Sequence, residues 1–159
     1  MIVYNLFPLL AGGFPNWEKH LRRAAQMGFN WIYVNPIQRP GRSGSLYSIA
    51  DYYDFNPLLA DSAAGKGPRE QLQDAVKIAE TLGLNLMVDL VVNHSAADSD
   101  LVRKHPGWYV WEPDGSVAHP FAMDDGKKVV WTDLAKFDHR HTGSRRAVPL
   151  LLRCGSIPD

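Results

Sequence analysis

The chain has 159 residues, 45% hydrophobic and 11% aromatic; this is enough for one domain-sized core but short of the roughly 250 residues of a complete eight-unit βα barrel. Lys plus Arg and Asp plus Glu balance at 17 each, so there is no electrostatic footprint for nucleic acid or an anionic membrane, and partners should be neutral or small. The single cysteine, Cys154, excludes an internal disulfide framework and a thiolate metal cluster within the chain, and points to a reducing cytoplasm.

The opening run IVYNLF, residues 2–7, is β-prone and is closed by Pro8 and Gly12-Gly13, so a strand and a loop are expected. The wider stretch MIVYNLFPLLAGGF lacks the basic start of a signal peptide and is interrupted by Asn5 and Pro8. No segment is long enough to span a bilayer. Asn16 is placed to cap a helix whose apolar face is Trp17, Leu21, Ala24 and Ala25, with Gly28 suited to end it. Residues 30–37, NWIYVNPI, read as a second strand stopped by Pro36. A loop of about thirty residues follows, far above the usual 2–6 of a βα connection and therefore functional in character.

Gly67-Pro68 opens the next helix, with Leu72, Ala75, Val76, Ala79 and Leu82 on one face and Gly83 at its end. Strand three is expected over residues 84–92. This β-α-β-α-β series argues for an α/β fold with a parallel sheet and right-handed crossovers. Beyond His94 the periodicity fails, and the Pro-, Gly- and aromatic-rich stretch reads as a loop excursion with β-prone pieces at 108–111 and 128–132. The final SRRAVPLLLRCGSIPD changes composition again and takes no structural role.

Ligands of parallel α/β sheets bind beyond the carboxyl ends of the strands. Asn35, Asn93 and His94 fall there, and the long loop carrying Tyr47, Asp51, Tyr52 and Tyr53 opens on the same side. Taken alone, Asp89 reads as a carboxylate paired with Arg or backbone donors, because one acid cannot serve as both general acid and general base. AAGKGP lacks the first glycine and the Ser or Thr of a phosphate loop. His139 and His141 in DHRHTG read as part of a solvated charged loop rather than a zinc site.

Three segments together resemble the α-amylase superfamily, glycoside hydrolase family 13, from residue 1 to about 143. DLVVNH, residues 89–94, is similar to the signature in which an acid is followed four and five positions later by Asn and His. SLYSIADYYDFNP carries the Tyr, then Asp, then Tyr of the loop after strand two, and VVWTDLAKFD is similar to the Asp-Leu signature of the inserted loop domain, with Thr132 where Pro is common.

The resemblance implies the first three βα units of a (β/α)8 TIM barrel plus part of an inserted loop region, about 95–143; the atypical tail that follows, 144–159, reads as the mark of a truncated or frame-shifted product. It implies that Tyr47 stacks on a sugar ring and His94 hydrogen-bonds its hydroxyls, roles an aromatic face and a neutral imidazole can fill. Asp51, Asp89, Asn93 and Asp133 would support the site, and Asn93 would be a calcium ligand as in many members, with no cofactor required. The implied partner is an α-glucan or maltooligosaccharide, and the implied activity is retaining hydrolysis or transglycosylation at α-glucosidic bonds.

Retention needs two carboxylates about 5 Å apart, which the family places on strands four, five and seven; no catalytic residue is therefore assigned here. The chain alone is expected to be inactive, and its unpaired sheet edges to make it poorly soluble. The alternatives are a non-catalytic maltooligosaccharide-binding module using Tyr47, His94, Trp108 and Trp111, and a doubly wound nucleotide-binding domain, against which the missing glycine-rich turn counts.

Overall fold

The computed structural model describes residues 1–140, so the tail at 144–159, with Cys154, and His141 lie outside the described residues. In chain order the elements are strand β1 (Val3–Leu6), helices α1 (Pro8–Ala11) and α2 (Trp17–Gln26), strands β2 (Trp31–Val34), β3 (Gln38–Pro40) and β4 (Ile49–Phe55), helix α3 (Pro68–Thr81) and strands β5 (Asn85–Val88) and β6 (His94–Ala96). Helix α4 (Asp100–Lys104) and strands β7 (Phe121–Asp124), β8 (Lys127–Val130) and β9 (Leu134–Lys136) complete them. The chain divides into two compact units. The first holds Met1–Ile37 and Phe55–Asp89, the second Gln38–Asp54 and the described residues from Leu90 on.

In the first unit β1, β2 and β5 form a parallel sheet in that order, with Tyr4, Ile32 and Leu86 in one row and Leu6, Val34 and Val88 in another. Side chains alternate across a strand, so these rows share one face, and Leu6, Ile32 and Val34 on it are buried. They pack with Trp17, Leu21 and Ala24 of α2 and Leu72, Ala75 and Ala79 of α3 in one core cluster. The expected helix positions are therefore the ones that face the sheet. Gly28 and Gly83 follow the two helices at φ +85° and +70°, a conformation that side chains resist.

Two expectations shift. Asn16 makes no side-chain capping bond, because it closes a 3₁₀ turn at Phe14–Asn16 and its backbone is already helical. Strand three ends at Val88 rather than 92; residues 94–96 pair instead with β9 in the second unit. Helix α3 starts as expected, with Pro68 at its first turn and the Glu70 carboxylate accepting the Gly67 N–H at 2.9 Å.

The second unit is antiparallel and irregular. The loop expected over some thirty residues contains strands β3 and β4, paired as a two-stranded sheet and closed by the Gly41 N–H donating to the Ser48 carbonyl at 2.7 Å. Antiparallel β6–β9 sets His94 opposite Lys136 and Ala96 opposite Leu134. Its core is Ile49, Tyr52, Val91, Tyr109, Ala135 and Phe137. The β7–β8 hairpin is exposed along its whole length, with the Lys128 ammonium 4.4 Å above the Phe121 ring.

Trp17 is fully buried and its indole N–H donates to the Gly12 carbonyl at 3.0 Å. Replacing it by Ala removes the largest side chain of the first core and leaves that carbonyl without its donor. Trp17→Ala should destabilise the chain by about 3–5 kcal/mol, read as a lower urea midpoint with an unchanged slope.

Candidate substrate-binding site

Five of the six residues singled out above, Tyr47, Asp51, Asn93, His94 and Asp133, belong to the second unit, and Asp89 to the first. Asp89 lies one residue past β5. Its N–H donates to the Val34 carbonyl at 2.8 Å, and its carboxylate accepts the Tyr33 hydroxyl at 2.6 Å. Asn5 and Asn35 are joined on the same unit, the Asn5 amide donating to the Asn35 side-chain oxygen at 3.1 Å. A Tyr hydroxyl, rather than Arg, is thus a partner of the half-buried Asp89. Tyr33 was not marked by the sequence, since an aromatic in a strand reads first as packing.

In the second unit the structure brings Tyr47 and His94 together. The His94 Nε2–H donates to the Tyr47 carbonyl at 3.0 Å, and the His94 carbonyl accepts the Tyr52 hydroxyl at 2.8 Å. A histidine at the first position of β6 therefore holds the 47–52 segment at two points. The carbonyl partner fixes the proton on Nε2, which leaves Nδ1 as an acceptor; Nδ1 is buried with no hydrogen-bond partner among the described residues. Burial lowers the His94 pKa, and the Tyr47 carbonyl and Asp133 offset only part of that. The ring is consequently neutral near pH 7.

Tyr47 itself is 41% exposed, and its N–H donates to Ser45 Oγ at 3.3 Å. Its loop is anchored further by the Arg42 N–H donating to Asp98 at 3.1 Å. Gly41 is required there, because a Cβ would overlap the Asp98 carboxylate and come within 2.6 Å of Ala96 Cβ. The sequence marks neither Gly41 nor Asp98, since the two are 57 positions apart. Asp133 contributes through its backbone, its carbonyl accepting the Ala97 N–H at 2.8 Å and the Ser48 hydroxyl at 3.3 Å.

Asp51 is exposed and accepts the Tyr53 N–H at 2.8 Å. Asn93 is exposed as well, with its carbonyl accepting the Phe137 N–H at 3.2 Å. Among the described residues no three His, Cys, Asp or Glu side chains group as a metal site. Calcium takes 6–8 oxygen ligands, of which Asn93 could supply one. Among the described residues no helix is long and apolar enough to cross a membrane.

This α/β fold is similar to that of solved α-amylases. A maltogenic α-amylase from Thermotoga neapolitana is similar over 96% of this chain and 35% of its own, at 29% identity and a TM-score of 0.79. An α-amylase from Lactobacillus plantarum shares the fold at a TM-score of 0.73, with 24% identity, over 96% of this chain and 34% of its own. Among curated relatives, the α-1,4-glucan:maltose-1-phosphate maltosyltransferase of Corynebacterium pseudotuberculosis is 29% identical over 84% of this chain. That of Methylacidiphilum infernorum is 31% identical over 80%. The chain spans 25% and 20% of their lengths. Residues 2–110 match the family model described as the glucanotransferase domain of glycogen debranching enzyme. The chain belongs to that family, within the α-amylase superfamily of glycoside hydrolases and transglycosylases, and corresponds to an N-terminal part of the catalytic domain.

Two measurements check this geometry. A His whose folded pKa is lowered contributes stability at high pH that is lost as pH falls through its ordinary value of about 6.5 and below. The thermal midpoint should therefore drop on acidification, and His94→Gln, which has no titrating ring, should remove that part of the drop. Gly41→Ala should cost about 1–3 kcal/mol and open the 41–48 loop to limited proteolysis.

Proposed function

We propose that this chain is the substrate-positioning N-terminal portion of an enzyme acting on α-glucosidic bonds, in which Tyr47 stacks on a glucose ring and His94 holds that tyrosine in place. The observation that carries it is the hydrogen bond from His94 to the Tyr47 carbonyl. It joins residues 47 positions apart, in the segments SLYSIADYYDFNP and DLVVNH, both of which resemble family signatures. An exposed phenol ring can cover the apolar face of a pyranose, and a backbone held beforehand loses little freedom on binding.

In this reading the parallel β1, β2 and β5 are the first strands of a (β/α)8 barrel, Asp89 braces β2 through Tyr33, and Asp51, Asn93 and Asp133 support the Tyr47 and His94 segments. Calcium at Asn93 would need further oxygen ligands. The relatives named for α-1,4-glucan and maltose 1-phosphate support an α-glucan as substrate, in hydrolysis or in transfer to a sugar, and the compartment is the cytoplasm. The 159 residues alone would bind without turning over, because no described pair of carboxylates is assigned the nucleophile and acid/base roles of a retaining enzyme.

Titrating the purified chain with maltoheptaose and assaying it with a chromogenic α-maltoside tests this. Weak binding that Tyr47→Ala reduces about tenfold, without release of the chromophore, is the expected result. Ordinary turnover would overturn the inactive reading, and binding unaffected by Tyr47→Ala would overturn the site. The non-catalytic binding module shares the expected binding and is separated by turnover: joining the chain to the remainder of a related catalytic domain should restore hydrolysis only if the chain is part of an enzyme.

A further inference from the structure

We propose that Trp111 is the platform of a second α-glucan contact, separate from Tyr47 and His94; this rests on the α-glucan reading above. Trp111 is 43% exposed, and its indole N–H is already donated to the Pro106 carbonyl at 2.8 Å. The indole N–H is thus satisfied within the turn, so what the ring offers a ligand is its apolar aromatic surface. Its surroundings are fixed as well. The same carbonyl accepts the Tyr109 N–H at 3.2 Å, and His105 stacks on Trp108 at 4.0 Å and 7°. Trp111 bridges Val117, and the Glu112 N–H donates to the Ser116 carbonyl at 2.8 Å, closing the turn beside the ring.

The chemistry around the ring selects the occupant. Glu112, Asp114 and Ser116, in the turn that follows the ring, are exposed, so hydrogen-bonding groups stand in the sequence next to it. A protein partner of ordinary interface size needs roughly 800 Å² per side with an apolar centre. A pyranose needs one aromatic face and a rim of hydrogen-bonding groups, which is what this turn offers. The β7–β8 hairpin differs: Phe121, Met123, Val129, Val130 and the following Trp131 are all exposed, and nothing in the structure shows what covers them.

Trp131, at 44% exposure, is a matched control. The test is maltoheptaose titration of the ¹⁵N-labelled full chain, reading indole N–H resonances together with affinity. The Trp111 indole should shift on titration. Trp111→Ala should weaken binding roughly fivefold to tenfold, Trp111→Phe should keep most of the affinity, and Trp131→Ala should leave it unchanged. An unmoved Trp111 resonance, or wild-type affinity in Trp111→Ala while Tyr47→Ala loses binding, would overturn this proposal and leave the proposed function standing. No binding to the unaltered chain would overturn both. If Trp111→Ala fails to fold, the resonance in the unaltered chain and the Trp111→Phe variant still decide the matter.

Discussion

Parallel pairing is the constraint from which the rest of the structure follows. Two parallel neighbours cannot be joined by a tight turn, so each connection between β1, β2 and β5 must leave the sheet at one end and return through a crossover to the other. The returning pieces, α2 and α3, carry the faces that cover Leu6, Ile32 and Val34. The departing pieces are the longer ones: residues 38–54, which follow β2, and the described residues from 90, which follow β5, make up the second unit. The regular half therefore fixes where the irregular half begins, and both Tyr47 and His94 arise in it.

The second unit faces a different problem. Its strands β3, β6 and β9 have three residues each, so ladders satisfy few of its backbone groups, and a buried carbonyl without a donor is costly. Side chains fill the gap. Ser99 donates to the Ala50 carbonyl at 2.6 Å, Tyr52 to that of His94, and His119 Nδ1 lies 2.6 Å from the Leu134 carbonyl. Ser95 and Tyr109 pair through their hydroxyls at 2.9 Å in the core, where burial pushes the Tyr109 pKa up to about 12. These bonds are directional, so they specify the position of a loop as apolar contact alone does not.

This division explains what could be read from the sequence. The elements of the first unit were legible because each has a period: Trp17, Leu21 and Ala24 at helical spacing, Leu72, Ala75 and Ala79 likewise, and strands bounded by Pro36 and Gly83. The β3–β4 pair was not, because IADYYDF lacks alternation; Asp51 and Tyr53 are exposed, yet Ile49 and Tyr52 are buried three apart. Tyr47 and His94 could be picked out through resemblance, but their mutual contact could not, since it joins a side chain to a backbone carbonyl and leaves no residue-type signal at the accepting end. Gly41 and Asp98 were missed for a related reason: the requirement for glycine comes from a neighbour 57 positions away rather than from its own turn.

The neutrality of His94 ties these points together. A charged imidazole could also donate to the Tyr47 carbonyl, but its second N–H would then be buried where Nδ1 finds no partner among the described residues, and desolvating a cation costs more than desolvating a lone pair. Burial and the single acceptor therefore favour the same tautomer, with its one proton directed at the backbone beside Tyr47. The same burial that makes the ring a poor proton carrier makes it a firm holder of position. A residue in that state holds the backbone at Tyr47 from one side and accepts the Tyr52 hydroxyl on the other.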